Sequence, residues 1–159
     1  MTHPQQDVQT VQLEDLPRLA EIWEASVRAT HNFITEADIR VFRPLVRDAL
    51  PELTVFCVRD HNGAAVGFVG VSGEKVEMLF VHPAYFGVGV GRQLMDYAVT
   101  TLGCTAVDVN EGNEQALWFY LKLGFEVVGR SERDGMGKPY PLLHLRLRGL
   151  SGKVEEAYP

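Results

Sequence analysis

The segment Glu77–Leu94 reads Glu-Met-Leu-Phe-Val-His-Pro-Ala-Tyr-Phe-Gly-Val-Gly-Val-Gly-Arg-Gln-Leu. It predicts a buried strand from Met78 to Val81, which Pro83 ends, and a helix that begins near Arg92. The loop between them contains three glycines at alternate positions, Gly87, Gly89 and Gly91. Because glycine lacks a Cβ, such a loop can bend sharply and direct several backbone N–H groups the same way. The first turn of the helix adds unpaired N–H groups and the positive end of its dipole, so the segment is typical of a pyrophosphate site.

The rest of the chain predicts one α/β domain, residues 1–150, with a mixed sheet and helices on both faces. Apolar residues recur at helical spacing after Glu14 and from Thr35 to Leu50, where Pro44 predicts a kink or two short helices. The other predicted elements are strands Val8–Leu13, Val55–Arg59, Val66–Val71, Ala106–Asn110, Phe125–Val128 and Leu142–Arg148, a hairpin turn at Asn62-Gly63, and helix Asn113–Leu123. The tail, 151–159, lacks an apolar period and is predicted to be flexible.

The composition indicates a folded, acidic protein. Of 159 residues, 46% are apolar and 23% are charged, and the formal net charge is −6. These values argue against disorder, and the acidic balance argues against nucleic acids and anionic membranes as partners. No apolar run approaches the roughly 20 residues of a membrane span. The two cysteines, Cys57 and Cys104, lack the spacing of a metal or redox site, so we expect a reduced cytoplasmic protein without a metal.

The glycine loop does not match the two best-known phosphate-binding motifs. A dinucleotide-binding fingerprint follows the first strand and reads G-x-G-x-x-G, whereas this loop follows the predicted fourth strand with another glycine spacing. A Walker A loop needs Gly-Lys-Ser/Thr, and here Gly91 is followed by Arg92 and Gln93. The residues alone leave two interpretations open, a purely structural turn and a different kind of pyrophosphate site.

A second pattern lies downstream. Residues 113–125 read Asn-Glu-Gln-Ala-Leu-Trp-Phe-Tyr-Leu-Lys-Leu-Gly-Phe, which resembles the N-x-x-A-x-x-[FL]-Y-x-x-x-G-F signature of the GNAT family of N-acetyltransferases. The strand and glycine loop resemble the same family's L-x-V-x-P followed by [QR]-x-x-G-x-G/A. The resemblance covers roughly Glu74 to Val128. It departs at Phe86, where the motif usually has Gln or Arg, so one cation fewer is expected near the phosphates.

The resemblance implies a mostly antiparallel sheet whose fourth and fifth strands splay apart and bind acetyl-CoA between them. The backbones of Leu79 and Val81 would pair with the pantetheine arm, and Asn113 would hydrogen-bond it. The N–H groups of the glycine loop would hold the pyrophosphate, namely those of Gly87, Val88, Gly89, Val90, Gly91 and Arg92.

Acetyl transfer to an amine requires help for the leaving thiolate and for the carbonyl oxygen. By the resemblance, Tyr120 lies beside the thioester sulfur, where its hydroxyl can act as a general acid. A core aromatic on an amphipathic helix is the alternative interpretation. A backbone N–H near Leu79 or Phe80 could polarise the thioester carbonyl.

The amine must also lose a proton. Glu77 is one candidate base because period-two alternation places it on the same side of the strand as Leu79 and Val81; a solvated strand-end acid is the alternative. His31 is the other, and with Phe33 and Tyr140 it is predicted to contact the acceptor. The alternative for His31 is a surface histidine at a helix end. The alternative for Tyr140 is a residue that only fixes the backbone before the last strand.

These observations predict an acetyl-CoA-dependent transferase that acts on a primary amine of a small molecule, peptide or protein. Two other classes stay open, a non-catalytic acyl-CoA sensor or interaction module and a toxin that acylates charged tRNA, the latter disfavoured by the net charge. We expect a monomer or a homodimer, since the alternating Leu143, Leu145 and Leu147 could pair at a sheet edge.

Overall fold

The computed structural model describes residues 7–148, so the predicted flexible tail, 151–159, lies outside the described residues. The chain divides into two compact units, Met1–Cys104 and Thr105–Pro159. The first contains β1 (Val8–Thr10), α1 (Leu16–Thr30), α2 (Glu36–Ala49), β2 (Thr54–Arg59), β3 (Ala65–Ser72), β4 (Lys75–Val81) and α3 (Val90–Thr100). The second contains β5 (Ala106–Asn110), α4 (Glu114–Lys122), β6 (Phe125–Ser131) and β7 (Leu142–Leu147). The predicted order of elements and the mixed α/β class are confirmed.

The first unit is an antiparallel sheet in the order β1-β2-β3-β4 with helices on both faces. Phe68 of β3 lies in a buried cluster with Leu19, Ile22 and Trp23 of α1. Its neighbour Gly67 faces the other way, where a Cβ would lie 2.8 Å from Val90 Cγ1 of α3. The missing side chain at Gly67 therefore allows the start of α3 to approach β3 closely.

Of the two predictions for Pro44, a kink or two short helices, the second is wrong. α2 runs without interruption from Glu36 to Ala49 with Pro44 inside it. Proline removes one N–H···O=C bond, here the one to the carbonyl of Arg40, but both residues are exposed and water can solvate that carbonyl. The capping box that Thr35 and Asp38 suggest is present, with the Asp38 N–H 3.1 Å from Thr35 Oγ1.

The β2–β3 hairpin is wider than a two-residue turn. The Asp60 N–H donates to the Ala64 carbonyl at 2.8 Å, and Asp60 Oδ1 accepts from the N–H groups of Asn62 and Ala64. Gly63 adopts φ +88°, as the sequence suggested for this turn. The aspartate side chain therefore closes the hairpin, a contribution that the Asn-Gly pair alone did not indicate.

The second unit is a three-stranded antiparallel sheet in the order β5-β7-β6, against which α4 packs. Tyr120 of α4 contacts Phe125 at the start of β6, with ring centroids 5.9 Å apart. Gly124 ends α4 with φ +100°, as predicted. β6 extends to Ser131, three residues beyond its predicted end at Val128, because a register shift between Val127 and Gly129 lets the pairing with β7 continue.

Candidate functional site

The glycine loop enters α3 without a side-chain cap. Gly87 and Gly89 have φ values of +77° and +93°, which side-chain-bearing residues rarely adopt, whereas Gly91 is helical. Gly89 precedes the helix, and the first intrahelical bond runs from the Gln93 N–H to the Gly89 carbonyl at 2.9 Å. Two of the three glycines are therefore needed for the backbone path itself.

Six consecutive N–H groups of this loop are unpaired. From Gly87 to Arg92, none donates to a protein acceptor within residues 7–148. Unpaired N–H groups at a helix N-terminus combine with the helix dipole to favour an anion. The loop therefore has the donors that a pyrophosphate group requires.

Few charged side chains assist these donors. Phe86 and Val88 are exposed on the loop, and Phe86 occupies the position where the family motif has Gln or Arg. The Arg92 side chain is 71% exposed, and its Nε lies 4.0 Å from Asp96 Oδ2. Backbone dipoles and one exposed guanidinium are thus the positive groups of the loop.

The hydrogen bonding of β4 separates its residues into two sets. The His82 N–H donates to the Val66 carbonyl at 2.8 Å, and antiparallel ladders alternate from there. Phe80 therefore exchanges hydrogen bonds with β3, whereas the N–H and C=O groups of Leu79 and Val81 point away from β3. This is the orientation that pairing with a pantetheine arm requires, and it leaves Leu79, not Phe80, as the N–H that could polarise a carbonyl.

A register shift removes the basis of the alternation argument for Glu77, whose place beside Leu79 stays a prediction. Gly70 pairs with Met78 but Val71 pairs with Val76, so Glu77 is an extra residue without a partner on β3. Such a bulge interrupts the period-two alternation that placed Glu77 beside Leu79. The Glu77 carboxylate is about one-third exposed and lies 3.5 Å from Lys75 Nζ.

His31 lies at the end of α1 and is only 8% exposed. Its ring meets the Phe33 ring edge-on at 5.3 Å, and its Nδ1 lies 2.8 Å from Thr30 Oγ1. The Thr30 hydroxyl donates its hydrogen to the Ser26 carbonyl, so His31 Nδ1–H must be the donor to Thr30. Burial lowers the pKa of His31 to about 4, and the ring is therefore neutral at pH 7 with the lone pair on Nε2.

Asn113 begins α4 and uses one half of its amide there. Its Oδ1 accepts from the Ala116 N–H at 3.1 Å, which caps the helix. The Nδ2 donors therefore remain for the predicted contact with a pantetheine arm.

Tyr120 is 6% exposed, with its ring between Phe119 and Phe125. Within residues 7–148, the Tyr120 hydroxyl has no hydrogen-bond partner. Every fully buried side-chain oxygen or nitrogen in that range does have a partner. The hydroxyl oxygen is therefore not sealed from solvent. Burial of the ring raises the pKa of Tyr120, so the phenol keeps its proton at neutral pH.

The predicted residues are distributed over both units. The first unit holds His31, Phe33, Glu77, Leu79, Phe80, Val81 and the glycine loop, and the second holds Asn113, Tyr120 and Tyr140. The glycine loop follows β4 directly through a short 3-10 helix, Pro83–Tyr85. Tyr140 is half-buried in the β6–β7 connection, where its N–H donates to the Lys138 carbonyl at 2.8 Å.

One polar chain in the second unit escaped the sequence analysis. Ser131 Oγ lies 2.7 Å from His144 Nε2, and His144 Nδ1 lies 2.7 Å from Asp108 Oδ1. The sequence did show that Asp108 and His144 interrupt apolar residues at strand spacing, which predicts polar faces. The strand order that brings the three residues together was not predictable from that pattern.

The described part of the chain contains no candidate metal site and no candidate membrane span. No three His, Cys, Asp or Glu side chains there lie close enough to hold a metal ion. None of the helices in residues 7–148 is long and apolar enough to cross a bilayer.

Comparison with known proteins identifies the family. Residues 52–127 match the model of the acetyltransferase (GNAT) domain. The chain is 43% identical to the peptidyl-lysine N-acetyltransferase YjaB of Escherichia coli K12 over 136 residues, 86% of this chain and 92% of that protein. It is 42% identical to the YjaB protein of Salmonella typhimurium over 132 residues, 83% of this chain and 91% of that protein.

A solved structure agrees with these matches. The solution structure of apo YjaB from Escherichia coli superposes with a TM-score of 0.82 at 40% identity, covering 89% of this chain and 96% of that one. The motifs, the fold and the relatives all indicate the same enzyme class. The chain belongs to the GNAT family and is an N-acetyltransferase that uses an amine as acceptor.

Proposed function

We propose that this enzyme transfers the acetyl group of acetyl-CoA to the ε-amino group of lysine in a protein or peptide. The relatives that are 42–43% identical over 132–136 aligned residues are peptidyl-lysine N-acetyltransferases, which supports this acceptor over a free small-molecule amine. The net charge of −6 also favours a cationic acceptor. We propose further that residues 1–150 act as one transferase domain, in the cytoplasm, as a monomer or homodimer. Edge pairing through Leu143, Leu145 and Leu147 is wrong as a basis for a dimer, because β7 pairs with β5 on one side and β6 on the other.

The observation that carries the cofactor assignment is the row of six unpaired N–H groups from Gly87 to Arg92. We assign the pyrophosphate of acetyl-CoA to these donors. The outward-directed backbone groups of Leu79 and Val81 suit the pantetheine amides, and the Asn113 Nδ2 donors suit one pantetheine oxygen. These groups are complementary to the ligand in charge and in donor and acceptor type.

Bound acetyl-CoA supplies an acetyl thioester, which an amine attacks with release of a thiolate. In our proposal Tyr120 donates a hydrogen bond to the departing sulfur. A thiol ordinarily has a pKa near 8.5 and a tyrosine near 10, and burial raises the pKa of Tyr120 further. Complete proton transfer from this phenol to a thiolate is therefore unfavourable, so Tyr120 stabilises the charge on sulfur mainly as a hydrogen-bond donor.

Two residues remain candidates for accepting the amine proton. His31 has a pKa of about 4, which makes it a weak base at neutral pH but leaves Nε2 as a hydrogen-bond acceptor. Glu77 carries a partly exposed carboxylate on a bulge, a feature that is frequent beside active sites. We therefore assign the base to Glu77, through water, and acceptor contacts to His31, Phe33 and Tyr140.

Steady-state kinetics of Tyr120→Phe test the transferase mechanism. We expect turnover with a lysine peptide to fall about 100-fold, the usual effect of losing one donor to a developing charge, with little change in acetyl-CoA affinity. Tyr97→Phe is the matched control because Tyr97 is a partly buried tyrosine, in contact with Phe56, that we assign no role. Unchanged turnover in Tyr120→Phe would remove Tyr120 from the mechanism.

The acceptor is tested by comparing three substrates at equal concentration. These are a lysine-containing peptide with a blocked N-terminus, the same peptide with arginine in place of lysine, and free lysine. The proposal predicts acetylation of the first alone, located on the ε-amine by mass spectrometry. Preference for free lysine would indicate a small-molecule enzyme, and acetyl-CoA binding without turnover on any amine would favour the sensor function.

A further inference from the structure

The sheet of the second unit aligns three chemically complementary side chains on neighbouring strands. The Leu147 N–H donates to the Thr105 carbonyl at 2.9 Å, and alternation from that bond makes Asp108 and His144 a non-hydrogen-bonded pair. Side chains of such pairs approach most closely. This explains the 2.7 Å separation of His144 Nδ1 and Asp108 Oδ1.

The third residue, Ser131, lies on β6 two positions beyond the direct partner of His144. Gly129 is the direct partner of His144 on β6, and Ser131 follows two residues later on the same face. A Cβ at Gly129 would lie 3.4 Å from His144 Cδ2, an ordinary contact distance, so the imidazole lies directly over this residue. His144 Nε2 lies 2.7 Å from Ser131 Oγ, its diagonal neighbour on β6.

The hydrogen bonds fix the direction of the protons. A carboxylate only accepts, so the Asp108–His144 contact places the ring proton on Nδ1. In the neutral imidazole, His144 Nε2 then carries a lone pair and accepts from the Ser131 hydroxyl. This is the arrangement in which a histidine activates a serine as a nucleophile and an aspartate holds the histidine in the required tautomer.

The three hydrogen-bonded side chains, Ser131, His144 and Asp108, are also accessible to solvent. The His144 side chain is 36% exposed and the Asp108 side chain 22% exposed, and Ser131 is half-buried. A small reagent can therefore reach the serine hydroxyl. The other described serines lack a histidine partner: Ser26 is buried in α1, and Ser72 is exposed at the end of β3.

We propose that Ser131 is an activated nucleophile that accepts acyl groups from small activated esters and thioesters, independently of the transfer to amines. Ser131 Oγ forms a bond to the acyl carbon while the bond from that carbon to the leaving oxygen or sulfur breaks. The hydroxyl proton passes to His144 Nε2 and from there to the leaving group. The product is an acyl ester on Ser131, and no further reactant is needed.

The test uses 4-nitrophenyl acetate and, separately, a fluorophosphonate probe on the purified full-length protein, with the modified residue located by peptide mass spectrometry. Labelling of Ser131 should be about 100-fold faster than labelling of Ser72, because a positioned general base contributes about 10²–10⁴-fold. Ser131→Ala should abolish the fast labelling, and Ser72→Ala should leave it unchanged.

Two further variants separate an activated serine from a merely reachable one. His144→Gln keeps a hydrogen-bonding side chain but removes the base, and Asp108→Asn removes the group that sets the tautomer. Both should slow Ser131 labelling at least tenfold while the far-ultraviolet circular dichroism stays that of the wild type. The proposal is overturned if wild-type Ser131 reacts no faster than Ser72, or if His144→Gln, folded, reacts as fast as the wild type.

Discussion

The helices α3 and α4 each follow a strand, β4 and β5 respectively, but the N–H groups at their starts differ in their hydrogen bonding. At α4, the Asn113 N–H donates to the Asn110 carbonyl, and the Asn113 side chain caps the Ala116 N–H. At α3, none of the N–H groups from Gly89 to Arg92 donates to a protein acceptor among residues 7–148. One helix start has a side-chain cap, and the other has none and follows two glycines in left-handed conformations.

The difference teaches where to look for function. A helix start can be capped at small cost by Asn, Asp, Ser or Thr, and α2 does so with Thr35. An uncapped start combined with left-handed glycines gives up that stabilisation, which is understandable if an anionic ligand provides the missing acceptors. The predictions below test whether α3 is open for a ligand while the other helix ends serve stability.

The largest expected effect concerns a third helix end, the C-terminus of α1, where His31 is buried. Its pKa of about 4 in the folded state lies below the ordinary value of 6.5 because burial disfavours the charged ring. Between these two pH values, His31 is protonated in the unfolded chain but not in the folded chain. The free energy of unfolding should therefore fall as the pH drops from about 6.5 to about 4. The difference corresponds to about 3 kcal/mol at most.

Urea unfolding at several pH values measures this loss. His31→Gln removes the titrating group and should flatten the dependence of the free energy of unfolding between pH 6.5 and 4. A variant with the same slope as the wild type in that interval would show that His31 is not the group responsible.

Two alanine substitutions compare the open loop with an equivalent backbone elsewhere. Gly89 and Gly63 have φ values of +93° and +88°, and a Cβ at either would meet no atom within 4 Å. Gly89→Ala and Gly63→Ala should each lose about 1–2 kcal/mol of stability from left-handed strain. Only Gly89→Ala should also weaken acetyl-CoA binding, by about tenfold or more, because only that loop is proposed to hold phosphate.

Calorimetric titration and thermal unfolding of both variants give the two quantities. Equal losses of affinity in the two variants would mean that backbone strain acts globally. Unchanged affinity in Gly89→Ala would place the phosphate site elsewhere.

The smallest expected effects come from substitutions of Asn113, which distinguish the capping role of its Oδ1 from the proposed binding role of its Nδ2. Asn113→Asp keeps an oxygen that can cap α4, so stability should stay within about 0.5 kcal/mol, while loss of the Nδ2 donors raises the KM for acetyl-CoA about 2–10-fold. Asn113→Ala should lose about 1 kcal/mol as well. Thr35→Ala, at the capping box of α2, should cost similar stability without changing that KM.

Unfolding curves and steady-state kinetics on these three variants are the measurements. A KM in Asn113→Asp equal to that of the wild type would show that Asn113 serves only as a cap.

The sequence was most informative where one local pattern specifies both structure and chemistry. The glycine loop and the Asn113 signature predicted the family and the starts of α3 and α4 to within about two residues. Local spacing suffices in these cases because turns, caps and helix faces depend on neighbouring residues. The two short helices predicted at Pro44 are wrong because tolerance of a helix-interior proline depends on whether the freed carbonyl is solvated, which is a property of the fold.

Cross-strand relations could not be predicted. The bulge at Glu77 depends on which β3 residues oppose β4, and a one-residue shift reverses the direction of a side chain. The chain from Ser131 through His144 to Asp108 depends on β7 lying between β5 and β6. Neither relation leaves a periodic trace in the sequence, so both required the structure.

Isothermal titration of acetyl-CoA into the wild type and into the double variant Gly89→Glu/Gly91→Glu tests the central claim most directly. The two carboxylates would crowd the open start of α3 and repel phosphate, while Gly63→Glu places a similar acid on a left-handed glycine of the β2–β3 hairpin as control. Our account predicts micromolar binding by the wild type and by the control, and none by the double variant. Equal affinity in all three proteins, or no binding by the wild type, would contradict it.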